Sequence, residues 1–401
     1  MLDQVSPQRI GIAAGLAVIM TVPSLTQFAL GALAPFLTAE YHLTPSTLGT
    51  VTSAYYLAAA GLSPLMGRWV NRLGTRGALF VTVALGWAGS LAFASAPAFA
   101  VVLLSVFVAG AATAMANPAT NVAISALPRP HAALVGVKQS GVQVAASIAG
   151  AVLPVVAVGH GWRTAVLSCS VGFAVGLVAV LIMPLAKPSQ VVAQTSRDAA
   201  PAPGARRLAL FAGLMGCGIA ATNVYLVLYA HVRTHMDVRL AGALLATVGF
   251  VAIGARIVYT LVAERVSAPD RTGMRMLRAM AVVAVAATAL VAFAPSLGTS
   301  ALWVGAVAIG MSAAAFNGVL MLVVIRTNKT TSTARTSGLV QAFFFGGLLV
   351  SPPVFGFLVD VTGSYAYGWA WAALCLVAAA VVIPSGRALA AAVAAERRTA
   401  G

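Results

Sequence analysis

The feature that most constrains this chain is a series of long, mainly apolar segments of 18 to 28 residues. A segment of about 20 apolar residues is long enough to cross a lipid bilayer as a helix. In lipid the backbone must satisfy its own hydrogen bonds, so only helices and closed barrels can span a membrane. Barrel strands alternate apolar and polar residues, and these segments do not alternate. The sequence therefore predicts an all-α membrane protein.

Composition excludes the main alternative, a water-soluble protein. Hydrophobic residues make up 60% of the 401 positions and charged residues 8%, with a mean hydropathy of +0.96. A soluble globular domain carries about 25% charged residues. A soluble multidomain enzyme is therefore excluded, and no buried nucleophile with a partner base is visible that would suggest an intramembrane enzyme.

Twelve transmembrane spans are predicted, and the longest connection between them is rich in proline, serine and small residues, as linkers are. We divide the chain into an N-terminal six-helix bundle (1–184), a cytoplasmic linker (185–207) and a C-terminal six-helix bundle with a short cytoplasmic tail (208–401). The predicted spans are 10–37, 46–67, 77–96, 99–126, 136–158, 164–183, 208–231, 240–262, 276–295, 298–325, 338–359 and 367–384.

The placement of basic residues predicts the orientation. With the N-terminus in the cytoplasm, 20 of the 24 Lys and Arg residues fall in cytoplasmic segments, three lie outside and Arg256 lies within a span. Cytoplasmic loops of membrane proteins carry such an excess of positive charge. We therefore expect a multi-pass protein of the cytoplasmic (inner) membrane with both termini in the cytoplasm. The net charge of +16 then reflects topology and does not indicate nucleic-acid binding.

Cysteine usage predicts neither a disulfide framework nor a metal centre. Cys169, Cys217 and Cys375 all lie in apolar segments, and no C-x-x-C pair occurs. No cofactor is expected. The first apolar segment is too long for the core of a signal peptide, so we read it as a span.

The two halves of the chain share an internal repeat. Four matches occur at an offset of 193 residues: Gly49 with Gly242, Gly61 with Gly254, Asn71 with Glu264, and Arg72 with Arg265. Gly110 and Asn117 in span 4 also match Gly310 and Asn317 in span 10, each pair seven residues apart. Repeated bundles of this kind place a solute site near the midplane at their interface, reached by alternating access.

The loop after span 2 carries a family resemblance. Its sequence GRWVNRLGTRG, from Gly67 to Gly77, resembles the loop motif G-x-x-x-D-R-x-G-R-(K/R) of the major facilitator superfamily, with matches at Gly67, Arg72 and Gly74. Glu264 and Arg265 match its second copy. The resemblance implies a twelve-helix secondary transporter built from two pseudo-symmetric bundles. It also implies a conformational, gating role for these loops, and so for Gly67, Asn71, Arg72, Glu264 and Arg265.

Two departures from the family pattern bear on activity. Asn71 stands where the motif has Asp, and Val106 stands where antiporters of the family carry an arginine in span 4. The first departure leaves the charge latch that the resemblance implies incomplete in the first half, and the second weighs against a proton-driven drug antiporter.

Amide side chains inside the spans are the main candidate solute ligands. In the resembled fold, helices 1, 4, 7 and 10 line the cavity and helices 3, 6, 9 and 12 face lipid, and no amide lies in the latter four spans. We expect Gln27, Asn117, Asn223 and Asn317, one on each cavity helix, to face a shared central cavity, with Gln341 as a further candidate. Hydrogen bonding between helices is the alternative role. The intramembrane amides are Gln27, Asn117, Asn121, Gln143, Asn223, Asn317 and Gln341.

Four further side chains are candidates. Tyr55 and Tyr225 combine an apolar ring with a hydroxyl and suit contact with an organic solute. Arg256 either reaches the lipid headgroups and loop carboxylates, or binds an anionic group of the solute as a countercharge. Lys138 opens span 5 and is either a cytoplasmic gate or a lipid-facing anchor.

The distribution of charge favours one class of solute. All eight carboxylates lie in loops, tails or at span ends, and no Asp, Glu, His or Lys is expected deep in a span. A cation would require a buried carboxylate, so we expect an anionic or neutral small organic solute, such as a carboxylate, with a coupling proton or ion. The alternatives are an efflux pump for a neutral drug or metabolite and, less favoured, a non-transporting membrane sensor. We expect a monomer whose partners are the solute and the bilayer.

Overall fold

The computed structural model describes residues 7–127, 132–185, 204–265, 269–327 and 330–383, and all regular secondary structure in these ranges is helical. The predicted all-α class is confirmed. The helices are α1 (Pro7–Ala32), α2 (Ala34–Tyr41), α3 (Pro45–Gly61), α4 (Ser63–Ala94), α5 (Phe99–Ser125), α6 (Ala132–His160), α7 (Trp162–Ser168), α8 (Ser170–Ile182), α9 (Ala205–Thr234), α10 (Val238–Arg265), α11 (Pro269–Ala292), α12 (Ala294–Leu297), α13 (Thr299–Met311), α14 (Phe316–Thr327), α15 (Thr330–Thr362) and α16 (Tyr365–Val382).

Eleven helices in the described ranges are long and apolar enough to cross a membrane. The predicted span that is absent from this set is span 2, because the chain breaks at Leu62 and divides this span between the 17 residues of α3 and the start of α4. Helix α4 in turn joins the end of span 2 to span 3. The twelve predicted spans therefore agree with the helices of the described ranges, although spans 1, 2, 6, 9 and 10 are each divided between two helices.

The junction of spans 2 and 3 lies at Gly74, within the loop motif. Its backbone has φ 70° and ψ 169°, which is non-helical. Only glycine adopts a positive φ of this kind without a steric penalty. The glycine of the motif is therefore required by the turn between the two spans.

The chain forms two compact units. The first contains Met1–Ser189 together with Asn223–Phe250, and the second contains Gln190–Thr222 together with Val251–Gly401. Parts of α9 and α10 therefore pack within the first unit. The domain limits at 184 and 208 come from sequence composition and stay a prediction.

Close helix contacts in the first unit depend on glycine. A Cβ placed on Gly141 of α6 would overlap the carbonyl oxygen of Ala17 in α1, and one placed on Gly110 of α5 would overlap the carbonyl oxygen of Tyr55 in α3. Small residues let transmembrane helices approach at the backbone. At these contacts α6 packs closely against α1, and α5 packs closely against α3.

An equivalent arginine contact occurs within each unit and supports the internal repeat. In the first unit, Arg76 Nη2 donates to the carbonyl oxygen of Met183, the residue after α8, at 2.7 Å. In the second, Arg278 Nη2 donates to the carbonyl oxygen of Ile383, the residue after α16, at 2.9 Å. A cation at the C-terminus of a helix satisfies free carbonyls and opposes the helix dipole. An equivalent contact therefore lies at the C-terminal end of span 6 and of span 12.

Candidate solute-binding site

The candidate site centres on a lysine buried inside the first unit. Lys138 lies six residues after the start of α6 and is 1% exposed. The tight contact at Gly141, where Thr21 Oγ1 also donates to the Gly141 carbonyl oxygen at 2.9 Å, holds this part of α6 against α1. This burial does not agree with the reading of Lys138 as a lipid-facing anchor, whereas the expectation that no lysine lies deep in a span stays a prediction. The helix begins at Ala132, four residues earlier than predicted, which places Lys138 within the packed helix.

Two amides of α5 hold the ammonium group. Lys138 Nζ donates to Asn121 Oδ1 at 2.7 Å and, in a longer contact of 3.4 Å, to Asn117 Oδ1. The two asparagines are four residues apart and so share one face of the helix. The lysine and the two asparagines form what we call the lysine–amide cluster.

The ammonium group fixes the orientation of both amides. A lysine ammonium carries three donors and no acceptor, so each amide must present its oxygen to Lys138. The Nδ2 groups of Asn117 and Asn121 then point away from the lysine, and in the part of the chain that the structure describes neither has a hydrogen-bond partner. Asn117 is half-buried and Asn121 is exposed. The remaining donors of the cluster are these amide N–H groups, while each amide oxygen keeps a second lone pair.

Among the residues that the structure describes, no acid forms an ion pair with Lys138. Removing an ammonium from water costs several kcal/mol, which amide oxygens offset only in part. The cluster is therefore a positively charged, donor-rich arrangement, and its chemistry suits an anion.

The other predicted ligands of the first unit fall into two groups. Gln27 on α1 and Asn223 on α9 are half-buried and make no side-chain hydrogen bond to the described residues. Tyr55 and Tyr225 are fully buried. Tyr55 donates to the carbonyl oxygen of Pro23 at 3.0 Å and also contacts Thr113 Oγ1. Tyr225 donates to the carbonyl oxygen of Pro45 at 2.8 Å. Both hydroxyls are thus engaged within the protein.

In the second unit, Arg256 lies on α10 and its Nη2 donates to the carbonyl oxygen of Ala314 at 3.0 Å. Asn317, near the start of α14, and Gln341 on α15 are half-buried. Among the predicted solute ligands and gating residues, the structure brings Asn117 together with Lys138. A solute role for Gln27, Asn223, Asn317, Gln341 and Arg256 stays a prediction.

The predicted gating residues lie on helices. Gly67, Asn71 and Arg72 are on α4, where Asn71 and Arg72 are exposed. Glu264 and Arg265 end α10, and their side chains lie outside those that the structure describes. The gating role of these five residues stays a prediction.

Sequence reasoning missed the burial of Lys138, although one signal was available. Asn117 and Asn121 are one helical turn apart, which indicates a polar stripe on α5 that needs a polar partner.

In the described ranges no group of three or more His, Cys, Asp or Glu side chains is placed to hold a metal ion.

These features define the class of the protein, a polytopic helical membrane protein built from two repeated halves with buried polar side chains in its spans. The model of the Major Facilitator Superfamily matches residues 16–330, and the chain belongs to that family. No curated protein sequence matches the chain.

Solved structures of transporters share this fold. A bacterial homolog of the human lysosomal transporter Spinster, in an inward-facing and occupied conformation, aligns with a TM-score of 0.70 and 16% identity over 98% of each chain. A variant of the nucleoside transporter NupG aligns with a TM-score of 0.70 and 16% identity, over 93% of this chain and 99% of that one. At this identity the likeness concerns the fold.

Proposed function

We propose that this protein is a secondary transporter that moves a small organic anion across the cytoplasmic membrane by alternating access, with both termini in the cytoplasm. Membership of the family and the repeated arginine contacts at the ends of spans 6 and 12 support a transporter built from two equivalent halves. Transporters with internal repeats bind their solute near the middle of the membrane. The protein acts as a monomer and needs no cofactor.

The observation that carries the choice of an anion is the lysine–amide cluster. The ammonium group of Lys138 is buried, and the Nδ2 donors of both asparagines point away from it. A cation would be repelled by Lys138, and a neutral solute would not balance its charge. An anion is attracted by that charge and accepts hydrogen bonds from the outward-pointing amides.

A carboxylate fits this arrangement best among organic anions. Its two oxygens offer about four acceptor sites and no donor, which matches the ammonium and the amide N–H donors of the cluster. The amides of Asn117 and Asn121 form the outer layer, and Lys138 lies behind them. An entering carboxylate therefore contacts the amide N–H groups first, while the ammonium supplies the charge.

The experiment that tests this proposal is uptake into proteoliposomes. The purified protein is offered organic acids and neutral compounds of similar size, with the pH gradient and the membrane potential varied separately. We expect uptake of organic acids above that of the neutral compounds. Varying the two gradients separately shows whether a coupling proton or another ion takes part.

Substitutions in the cluster make the test specific. Lys138→Met removes the charge and the donors at similar length, and we expect it to lower carboxylate uptake about tenfold or more, because hydrogen bonds to charged groups contribute about 1.5–3 kcal/mol. The matched control is Lys187→Met in the predicted linker. Unchanged carboxylate uptake by a folded Lys138→Met protein would contradict the proposal.

A second variant separates solute binding from a purely structural role. Asn121→Asp keeps the size of the side chain and gives Lys138 a carboxylate partner, so the cluster loses its excess positive charge. A structural role predicts that this protein is as stable as the wild type and equally active. Our proposal predicts that it folds but loses carboxylate uptake. Uptake of neutral compounds alone, insensitive to both substitutions, would instead favour an efflux pump for a neutral drug or metabolite.

A further inference from the structure

Span 10 is interrupted between α13 and α14. The residues 312–315 are not helical, and Ser312 has φ −120° and ψ −89°. The amide of Ala314 donates to the carbonyl oxygen of Ile309, five residues earlier, at 3.0 Å. The amide of Ala315 donates to the carbonyl oxygen of Ser312, three residues earlier, at 3.1 Å. The regular pattern of bonds four residues apart is lost over one turn.

The local sequence explains part of this break, because Ser312 Oγ donates to the carbonyl oxygen of Ala308 at 2.5 Å, the oxygen to which the Ser312 amide would donate in a regular helix. Its four residues are one serine and three alanines, and alanine is the strongest helix former. The matching stretch of span 4, from Gly110 to Asn117, lies inside the continuous helix α5, although Pro118 follows it directly. Contacts with another part of the protein act on the interruption in span 10 as well.

Two side chains of α10 supply these contacts. Tyr259 Oη donates to the carbonyl oxygen of Met311 at 2.8 Å, and Arg256 Nη2 donates to that of Ala314 at 3.0 Å. Both oxygens would accept from amides four residues ahead in a regular helix. The amide of Ala315 donates to Ser312 instead, and that of Gly318 donates to Ala315. Arg256 and Tyr259 thus cap the carbonyl oxygens that the break leaves free of the helix.

A cation site at the break is the obvious alternative. Unwound carbonyl oxygens coordinate sodium ions in several transporters. Here the two oxygens already accept from Arg256 and Tyr259, and the guanidinium places a fixed positive charge beside them. A metal cation would be repelled, so the break does not serve as a cation site.

We propose that Arg256 and Tyr259 are positioning residues that maintain the non-helical segment 312–315 as a hinge in span 10. The hinge sets the orientation of α14 and of Asn317, the second residue of that helix. Each residue of a helix turns by about 100°, so closing the break into a regular helix would rotate Asn317 to another face. The hinge lets the two parts of span 10 move separately during the transport cycle. This inference rests on the proposed transport function, but it has a readout that needs no solute.

The first readout is hydrogen–deuterium exchange of the purified full-length protein over residues 309–318. Tyr259→Phe removes one cap with no other change, and Arg256→Met removes the other. Without the caps the alanines are free to form a regular helix, so we expect exchange there to slow about tenfold in both variants. The control is Tyr367→Phe at an exposed position of α16. Exchange that is unchanged or faster in both variants would overturn the proposal.

The second readout separates positioning from solute binding. Arg256→Gln keeps an N–H donor for the Ala314 carbonyl oxygen but loses the charge. We expect it to retain most of the turnover, whereas Arg256→Met and Tyr259→Phe lower turnover about tenfold at nearly unchanged KM. Equal loss in Arg256→Gln and Arg256→Met, with a raised KM for anions and no effect of Tyr259→Phe, would overturn the proposal in favour of a countercharge.

The two proposals fail in different ways. If wild-type protein takes up no organic anion, the proposed function fails, while the exchange of residues 309–318 still decides whether Arg256 and Tyr259 maintain the break.

Discussion

Arg163 donates through Nη1 to Glu40 Oε1 at 2.7 Å, and its Nη2 donates to the carbonyl oxygen of Ala96 at 3.1 Å. Glu40 lies near the end of α2, Ala96 follows α4 and Arg163 is the second residue of α7. The guanidinium also lies 4.4 Å from the ring centre of Trp162. One side chain therefore ties together three chain segments at the end of the first unit that we predict to face outward.

This ion pair makes stability depend on pH. The hydrogen bond from Arg163 lowers the pKa of Glu40 below its ordinary value of 4.5, against a smaller opposing effect of desolvation. A carboxyl group whose pKa is lower in the folded state stabilises the fold above its unfolded pKa, and this contribution is lost as the pH falls through the folded pKa. We expect Glu40→Gln to have a lower Tm than wild type at pH 7, with the difference decreasing once the pH falls below 4.5 and through the lowered pKa of Glu40.

A double-mutant cycle provides the control for the ion pair. Thermal unfolding in detergent is measured for Glu40→Gln, Arg163→Gln and the double variant at pH 7 and at pH 3.5. Because the pair is close to half-exposed, the coupling is small and is reduced by salt. A coupling that is the same at both pH values would show that Glu40 does not act through its charge.

The arginines at the ends of spans 6 and 12 should make similar contributions to stability. Arg76→Ala and Arg278→Ala each remove the arginine donor from a carbonyl oxygen that follows a helix, at Met183 and Ile383, although Met183 keeps a bond from the Leu185 amide. We expect each substitution to cost about 1 kcal/mol in the free energy of unfolding, because both side chains are partly exposed. Arg68→Ala, at an exposed position of α4, is the control. An effect in one half only would argue that the repeated contact is not equivalent.

Different physical causes decide which of these features were visible in the sequence. The helical class and the spans were predictable because lipid imposes a minimum length on every crossing helix. The burial of Lys138 was not, because it depends on where α6 begins and on its contact with α1 at Gly141. The break at residues 312–315 was also not predictable, because its three alanines favour a helix. The side chains that cap its carbonyl oxygens come from α10, more than 50 residues earlier. The sequence suggested an anion-binding role for Arg256, but it could not place a guanidinium on the Ala314 carbonyl oxygen.

Gly110, one of the glycines of the internal repeat, is needed for the close packing of α5 against α3. Gly110→Ala would place a methyl group against the carbonyl oxygen of Tyr55, so α5 and α3 must separate. We expect a loss of about 1–3 kcal/mol, the usual cost of overpacking. Gly136→Ala is the matched control, because a Cβ there meets no atom within 4 Å. That control should be neutral or stabilise by up to about 1 kcal/mol. Equal Tm values for the two variants would contradict the packing role.

The orientation derived from the basic residues is testable by cysteine labelling, because all three native cysteines are buried and give a low background. Arg68→Cys lies in a predicted cytoplasmic segment and Ser296→Cys in a predicted outer connection, and both positions are exposed. A membrane-impermeant maleimide should label Ser296→Cys in intact cells and Arg68→Cys only in inside-out vesicles. The wild type should stay unlabelled in both preparations. The opposite pattern would reverse the topology, and the excess of arginine would then lie on the side where the positive-inside rule does not allow it.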